Sequence, residues 1–291
     1  GTNTFHGTGF YSTSTDDMQG KRFRSIDISS TLPDYNSETY GATLSGPIIA
    51  DKLFFMVSAE RNTDPRPFTP SGVSQVPGLT QTTLDQITGI AQSRYGYDAG
   101  EILPLNDQRD EKIVGKIDWN INTGQRLSLS YINAYESSQV LNNTSVSNPA
   151  TSSVGLSTNA YTRSVLLRAG IVQLNSDWTD QFSTEIRGLY KWNRVGQNPL
   201  GDRNFAQFRV CAAPTSVNSG SDTTTGCASG VPIVSFGPDN SRQANQLFFD
   251  TWGGSVLAKY SAEGHDVRGL VEVNQNRTYN LFLQNATGNY Y

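Results

Sequence analysis

SETYGATLSGPIIADKLFFMVSAE, residues 37–60, decides how the rest of this chain reads. In its first half Tyr40, Ala42 and Leu44 fall on one side, and Thr39, Gly41, Thr43 and Ser45 on the other. That is the period-2 pattern of a strand with one apolar face. Gly46-Pro47 is expected to end this strand. Beyond Asp51-Lys52 the alternation resumes, with Leu53, Phe55, Val57 and Ala59 against Phe54, Met56, Ser58 and Glu60, so the stretch reads as an antiparallel hairpin. A sheet in water covers its outer face with Lys, Glu and Arg. Here the non-apolar face is mostly Thr, Ser and Gly, with Glu60 the lone charge at the strand end. Such a face suits a lumen, and the apolar face suits lipid.

Outward from this hairpin, strand-like runs recur in a rhythm of short and long connections. Residues 4–12 precede it, with Phe5 and Tyr11 on one parity. Residues 112–121 place Ile113, Gly115, Ile117 and Trp119 opposite Lys112, Val114, Lys116 and Asp118. A turn at Asn122-Thr123-Gly124 leads to Leu127, Leu129 and Tyr131. In residues 163–174, Val165, Leu167, Ala169 and Ile171 are expected outward, with Arg168 inward. Residues 182–192, 248–260 and 267–275 complete roughly nine strands of about ten residues, the length that carries a tilted strand across a bilayer. Short turns follow every second strand. Long polar connections, residues 13–36, 61–109, 137–160 and 193–245, follow the others, which is the asymmetry of an outer-membrane barrel. In residues 61–109, Leu84, Ile87 and Ala91 fall at helical spacing and predict a short helix. The fold class expected is therefore all-β, an antiparallel transmembrane β-barrel with long extracellular loops.

Composition agrees. Of 291 residues only 16% are charged, while Ser, Thr, Asn, Gln and Gly are abundant. The net charge of −4 has the wrong sign for a nucleic-acid footprint, and no Lys/Arg run exists. No nucleic-acid partner is expected. No apolar run approaches the roughly 18 residues of a membrane helix, a criterion to which half-apolar strands are invisible. The chain opens and closes close to strand-like segments, so it reads as a piece of a longer protein with its secretory signal upstream.

The hairpin sequence YGATLSGPI...DKLFFMVSAE, preceded by GTNTFHGTGFY at residues 1–11 and followed by DEKIVGKIDWNI at residues 110–121, resembles the TonB-dependent outer-membrane receptors, and among them the Oar-like branch. The resemblance runs over essentially the whole chain. It implies the N-terminal part of a 22-stranded barrel closed by a plug, located in the outer membrane of a Gram-negative bacterium. By the same resemblance the protein captures a substrate at the cell surface and imports it with energy from the TonB-ExbB-ExbD complex, acting through a plug that lies outside this sequence. The implied partners are outer-membrane lipid, that complex and an extracellular substrate whose identity the sequence does not give. The rival expectation is a non-transporting barrel, either a passive pore or an adhesin-like surface protein. A soluble β-sandwich or propeller stands third.

No catalytic residue is expected: HExxH, GxSxG and GxxxxGK[ST] are absent, the nearest being Gly226-Cys227-Ala228-Ser229-Gly230. No cofactor is expected either. His6 and His265 are far apart in sequence and predict no metal site. Asp16-Asp17 and residues 107–111 fit either hard-cation ligands or solvated loop charge. The only cysteines, Cys211 and Cys227, share the longest loop. In an oxidising compartment a disulfide between them would stabilise that loop by roughly 3 kcal/mol, two free thiols being the other reading. Ligand contact is expected from loop aromatics, namely Phe23, Phe68, Tyr95, Tyr97, Phe205 and Phe208.

Overall fold

The computed structural model describes residues 1–29, 34–141, 153–213, 227–228 and 230–290. Its strands, in chain order, are β1 (His6–Thr15), β2 (Arg22–Phe23), β3 (Ile26–Asp27), β4 (Asn36–Ile49), β5 (Leu53–Thr63), β6 (Arg66–Pro67), β7 (Leu105–Asn106), β8 (Gln108–Asn122) and β9 (Gln125–Val140). They continue with β10 (Ser153–Gly155), β11 (Tyr161–Asp177), β12 (Phe182–Pro199), β13 (Gln207–Cys211), β14 (Ile233–Phe236), β15 (Ala244–Ala262), β16 (His265–Leu283) and β17 (Asn289–Tyr290). One α-helix, α1 (Gln81–Tyr95), lies between β6 and β7.

Nine of these strands form one antiparallel sheet in the order β1-β4-β5-β8-β9-β11-β12-β15-β16, each hydrogen-bonded to its neighbour in sequence among the long strands. The order is that of an up-and-down wall. Among the described residues β1 and β16 do not pair with each other, so both are edges. The connections are tight at one end, where Lys52 N donates to Ile49 O at 3.1 Å and Asp177 N donates to Gly124 O at 2.7 Å. At the other end they are long.

Cross-strand register shows which face is apolar. One row runs Leu44, Val57, Gly115, Tyr131, Gly170, Tyr190, Trp252 and Gln275. Another runs Trp119, Leu127, Leu174, Ile186, Val256 and Val271. Leu129, Val172, Ile186, Tyr190, Trp252 and Val256 are exposed, although each is a residue that a protein in water would bury. An exposed apolar band this continuous, edged by aromatics, is the outer surface of a membrane barrel. The opposite face carries Thr43, Ser58, Lys116, Ser128, Ser130, Gln173 and Asn175. Among the described residues no helix is long and apolar enough to cross a membrane, a criterion that says nothing of strands.

Three expectations change. First, β4 does not stop at Gly46-Pro47 but runs to Ile49, with a register shift between Pro47 and Ile49. Proline fits because β1 pairs with β4 only up to His6 opposite Ser45, so the missing N–H faces no neighbour. Second, Arg168 points outward and Val165, Leu167, Ala169 and Ile171 face the lumen. Both parities of residues 163–174 are aliphatic. The pairs Val172–Leu129 and Leu174–Leu127 settle the register, and Arg168 then lies beside Trp192, 5.1 Å from its ring centre. Third, the strands are longer than ten residues, up to 19 in β15 and β16. Most of the added length lies at the long-connection end, where backbone pairing continues beyond the expected strand limits, as through residues 276–283 of β16.

Inside the lumen Phe10 lies across Gly41, where a Cβ would come within 2.7 Å of the Phe10 ring and 2.8 Å of Ala59 O. An aromatic on one strand thus covers the glycine of the next.

Ile186 lies at mid-height of the apolar band, while Leu189 on the same strand faces the lumen. Ile186→Arg is expected to cost about 2–4 kcal/mol, the range for an arginine on the lipid face at the midplane. Leu189→Arg should cost clearly less. Reversible denaturant unfolding in lipid vesicles measures both.

Candidate functional site

At the long-connection end the loops fold onto one another. Thr80 starts α1, its Oγ1 accepting from Thr83 N at 3.1 Å, and Gly96 ends it in the left-handed conformation at φ 63°. The N–H groups of Gly96 and Tyr97 close the last turn on Gln92 O and Ala91 O. This turns Leu84, Ile87 and Ala91 onto Val76, Leu79 and Ala99. Val154 and Leu156 from one long connection, and Val234 and Phe236 from another, complete that core, with Leu156 and Val234 wholly buried. The helix expected from Leu84, Ile87 and Ala91 is therefore present, and its apolar face is what gathers the loops.

Hydrogen bonds bind the same segments together. A small sheet in the order β10-β14-β13-β17 joins three connections. Ser157 N donates to Glu101 O at 2.7 Å, Gln207 N to Gly288 O at 3.1 Å, and the buried Asn159 Nδ2 to Gly237 O at 2.7 Å. Cys211 and Cys227 form a disulfide with Cα atoms 5.6 Å apart, tying the end of β13 to the segment before β14. The result is a folded cap on the long-connection rim rather than a fringe of independent loops.

Four of the six aromatics expected to contact ligand meet in this cap. The Tyr97 and Phe205 rings stack 3.6 Å apart, and Phe208 lies 5.6 Å from Phe205 and 5.6 Å from Tyr95. Phe236 and Tyr290 extend the stack, 5.3 and 5.2 Å from Phe208. These rings pack mainly against each other, and only Tyr95 of the four is largely exposed. Burial pushes the Tyr97 hydroxyl pKa up, more than the adjacent Thr158 hydroxyl offsets. Phe23 sits apart and exposed on the β2–β3 hairpin under the Arg24 guanidinium. Phe68 is half-buried beside β6, its N–H bonded to Pro104 O at 2.9 Å. The six do not form one surface. Sequence reasoning missed Phe236 and Tyr290 as members of the stack. The short apolar run Ile233, Val234 and Phe236, β-branched and aromatic, was the available signal for β14 inside the long connection.

The lumen wall is the second zone. Lys116 pairs with Asp118 at 2.9 Å, Lys112 with Asp110 at 2.9 Å, and Arg187 with Glu185 at 2.7 Å. Lys191, Lys259 and Arg268 have no carboxylate partner among the described residues, and Lys259 lies directly opposite Arg268 in the register. A hollow of about 480 Å³ near the tight-turn end is lined by Lys116, Asp118, Ser130, Gln173 and Asn175. Among the described residues no three His, Cys, Asp or Glu side chains gather in a way that could hold a metal ion.

Residues 1–94 match the family model described as "Outer membrane beta barrel domain". No curated protein matches the chain. Among solved structures, the outer membrane transporter YddB from Escherichia coli is similar over 95% of this chain, at 11% identity and a TM-score of 0.42. The chain covers 37% of that transporter's length. With the one-sided sheet, the match to the barrel model places this chain as an antiparallel β-barrel wall in the outer membrane.

Replacing Cys211 and Cys227 together by Ser is expected to destabilise the cap by about 3 kcal/mol while leaving the wall intact. Hydrogen exchange should then rise in β13, β14 and α1 and stay unchanged in β9, β11 and β12. Equal protection throughout would mean that the cap does not depend on the crosslink.

Proposed function

We propose that this chain is the N-terminal wall of a TonB-dependent, Oar-like receptor that captures a substrate at the cell surface and imports it through a plugged 22-stranded barrel. The observation that carries the proposal is the charge pattern of the lumen. Lys259 and Arg268 face each other, and among the described residues neither they nor Lys191 forms an ion pair, while Glu272 and Asp266 on the same face are held by Asn274 and Ser261. Like charges directly opposite on a sheet are destabilising. An anionic protein surface filling the lumen relieves this, whereas a water-filled pore does so only by screening. Among the described residues β1 and β16 lack an outer neighbour, which supports the same reading, because an open sheet edge is not tolerated in lipid and further strands would complete the wall. The cap supplies a pre-organised surface at the outer rim, where Tyr95 and Phe23 expose aromatic rings suited to a ligand.

In this reading the loops bind substrate, the plug blocks the lumen, and the TonB-ExbB-ExbD complex acts on the plug. Planar-bilayer conductance of the complete native protein distinguishes the two kinds of barrel without knowledge of the substrate. A plugged receptor is expected to give no steady conductance and to bind the periplasmic domain of TonB. A steady open channel that ignores TonB would replace this function with that of a passive pore.

A further inference from the structure

On the outward face, just above the apolar band, three arginines meet one carboxylate. Arg168 lies opposite Trp192 in the register, Trp192 opposite Asp250, and Asp250 opposite Arg277. Arg194, two residues beyond Trp192 and on the same face, pairs with Asp250 at 2.7 Å. Arg168 donates through Nε to Asn133 Oδ1 at 3.0 Å. Neither Arg168 nor Arg277 has a carboxylate partner among the described residues. Elsewhere on this rim the charges balance: Arg61 and Arg109 converge on Glu111, and Glu38 accepts from the Tyr11 hydroxyl nearby.

We propose that this surface binds the phosphorylated sugar headgroup of a lipid in the outer leaflet. Height supports a lipid occupant. Trp192 is ten residues along β12 from Phe182, a rise of about 25 Å for a strand tilted near 40°. The arginines therefore stand at the upper edge of the hydrocarbon band. Long connections mark the extracellular side of such barrels, so this edge faces the outer leaflet. Unpaired guanidinium groups are costly at a low-dielectric boundary, and a lipid phosphate arriving from the side supplies the missing charge.

The arginines are also held in place. The Arg168 and Arg194 guanidiniums lie 5.1 and 4.3 Å from the Trp192 ring centre, and Arg194 lies 4.4 Å from that of Phe248. Phe248 in turn stacks on Tyr279 at 4.8 Å. Stacked guanidiniums keep their planar donor forks exposed at the edge, the geometry that recognises phosphate with paired hydrogen bonds. Lysine has no equivalent fork.

Directly above is a cleft of about 570 Å³ on the same outward face. Tyr135 and Leu166 form its apolar side, while Asn198, Arg203 and Gln246 supply amide and guanidinium groups for sugar hydroxyls. Arg203 donates to Asn198 Oδ1 at 3.0 Å, which orients that amide. At Gly196 the Ser164 hydroxyl packs onto the backbone, where a Cβ would come within 2.4 Å of Ser164 Oγ, so the floor of the cleft is a polar hydroxyl. Apolar band, phosphate-binding arginines and polar cleft thus follow the order of acyl chains, phosphate and sugar in a phosphorylated glycolipid.

The test uses the complete native protein in detergent, stripped of lipid. A bis-phosphorylated acylated glucosamine disaccharide, the same lipid after removal of its phosphates, and inorganic phosphate are each titrated by native mass spectrometry. The phosphorylated lipid is expected to bind. The dephosphorylated lipid should bind at least about tenfold more weakly, as charge-assisted hydrogen bonds to phosphate would require. Arg168→Gln with Arg277→Gln should cause a loss of similar size, and Arg168→Lys with Arg277→Lys a smaller one. The cold-versus-boiled gel shift establishes that each variant is folded. If the double Gln variant does not fold, Arg168→Gln alone provides the comparison. Equal binding of the dephosphorylated lipid, or undiminished binding by the folded Gln variant, would overturn the proposal. Competition by inorganic phosphate at concentrations comparable to the lipid would overturn the lipid assignment.

Discussion

The constraint on which the rest of this structure depends is the hydrogen-bonding demand of a backbone in hydrocarbon. No water is available there to satisfy N–H and C=O groups, so each long strand pairs on both sides or leaves an edge that lipid cannot solvate. The nine-strand order, in which each long strand pairs with the next long strand in the chain, meets this demand for every strand between β1 and β16. Side-chain alternation is then a consequence. Once β9 and β11 are in register, Leu129 fixes Val172 and Tyr131 fixes Gly170, and every residue between inherits a face. A slip of one residue would exchange the lipid surface for the lumen surface along the whole strand. Leu and Ile outside with Ser and Lys inside make that exchange prohibitive.

The wall and the cap are stabilised differently. The wall has little interior: Phe54 and Ala169 are among its few buried apolar residues, and its large apolar side chains are exposed to what must be lipid. The cap is a small soluble-type unit. Its core of Leu84, Ile87, Leu156, Val234 and Phe236 is buried from water, and a disulfide supplements it, as is common where a core is too small to hold a fold alone. The cap is therefore held by packing of its own, separate from the contacts that build the lipid-facing wall.

Much of the wall was legible in the sequence because the period-2 signal lasts across every strand where one parity is apolar and the other is not. The central hairpin, residues 112–121 and residues 182–192 show this directly. The reading failed where the signal lost contrast. In residues 163–174 both parities are aliphatic, and only pairing with Leu127, Leu129 and Tyr131 decides that Arg168 is outside. At Gly46-Pro47 the local breaker was legible, but the absence of a β1 neighbour that makes proline harmless was not. Of the cap, the sequence showed one helix, one cysteine pair and several loop aromatics, but not that they come together. Its small sheet joins segments far apart in the chain, and the stacking of Tyr97 on Phe205 has no local signature. The facing lumen cations Lys259 and Arg268 and the outward arginine cluster likewise follow from register, which links strands that sequence alone does not align.

The most direct measurement of the central claim is spin-label accessibility along residues 182–192 of β12, one position at a time, with the protein in lipid vesicles. Even positions, which include Ile186, Tyr190 and Trp192, are predicted to contact oxygen dissolved in lipid. Odd positions, which include Glu185, Arg187 and Lys191, are predicted to be shielded from it, giving a period of two. Even positions in contact with water-soluble relaxers, or no alternation at all, would mean that this apolar face does not meet a membrane.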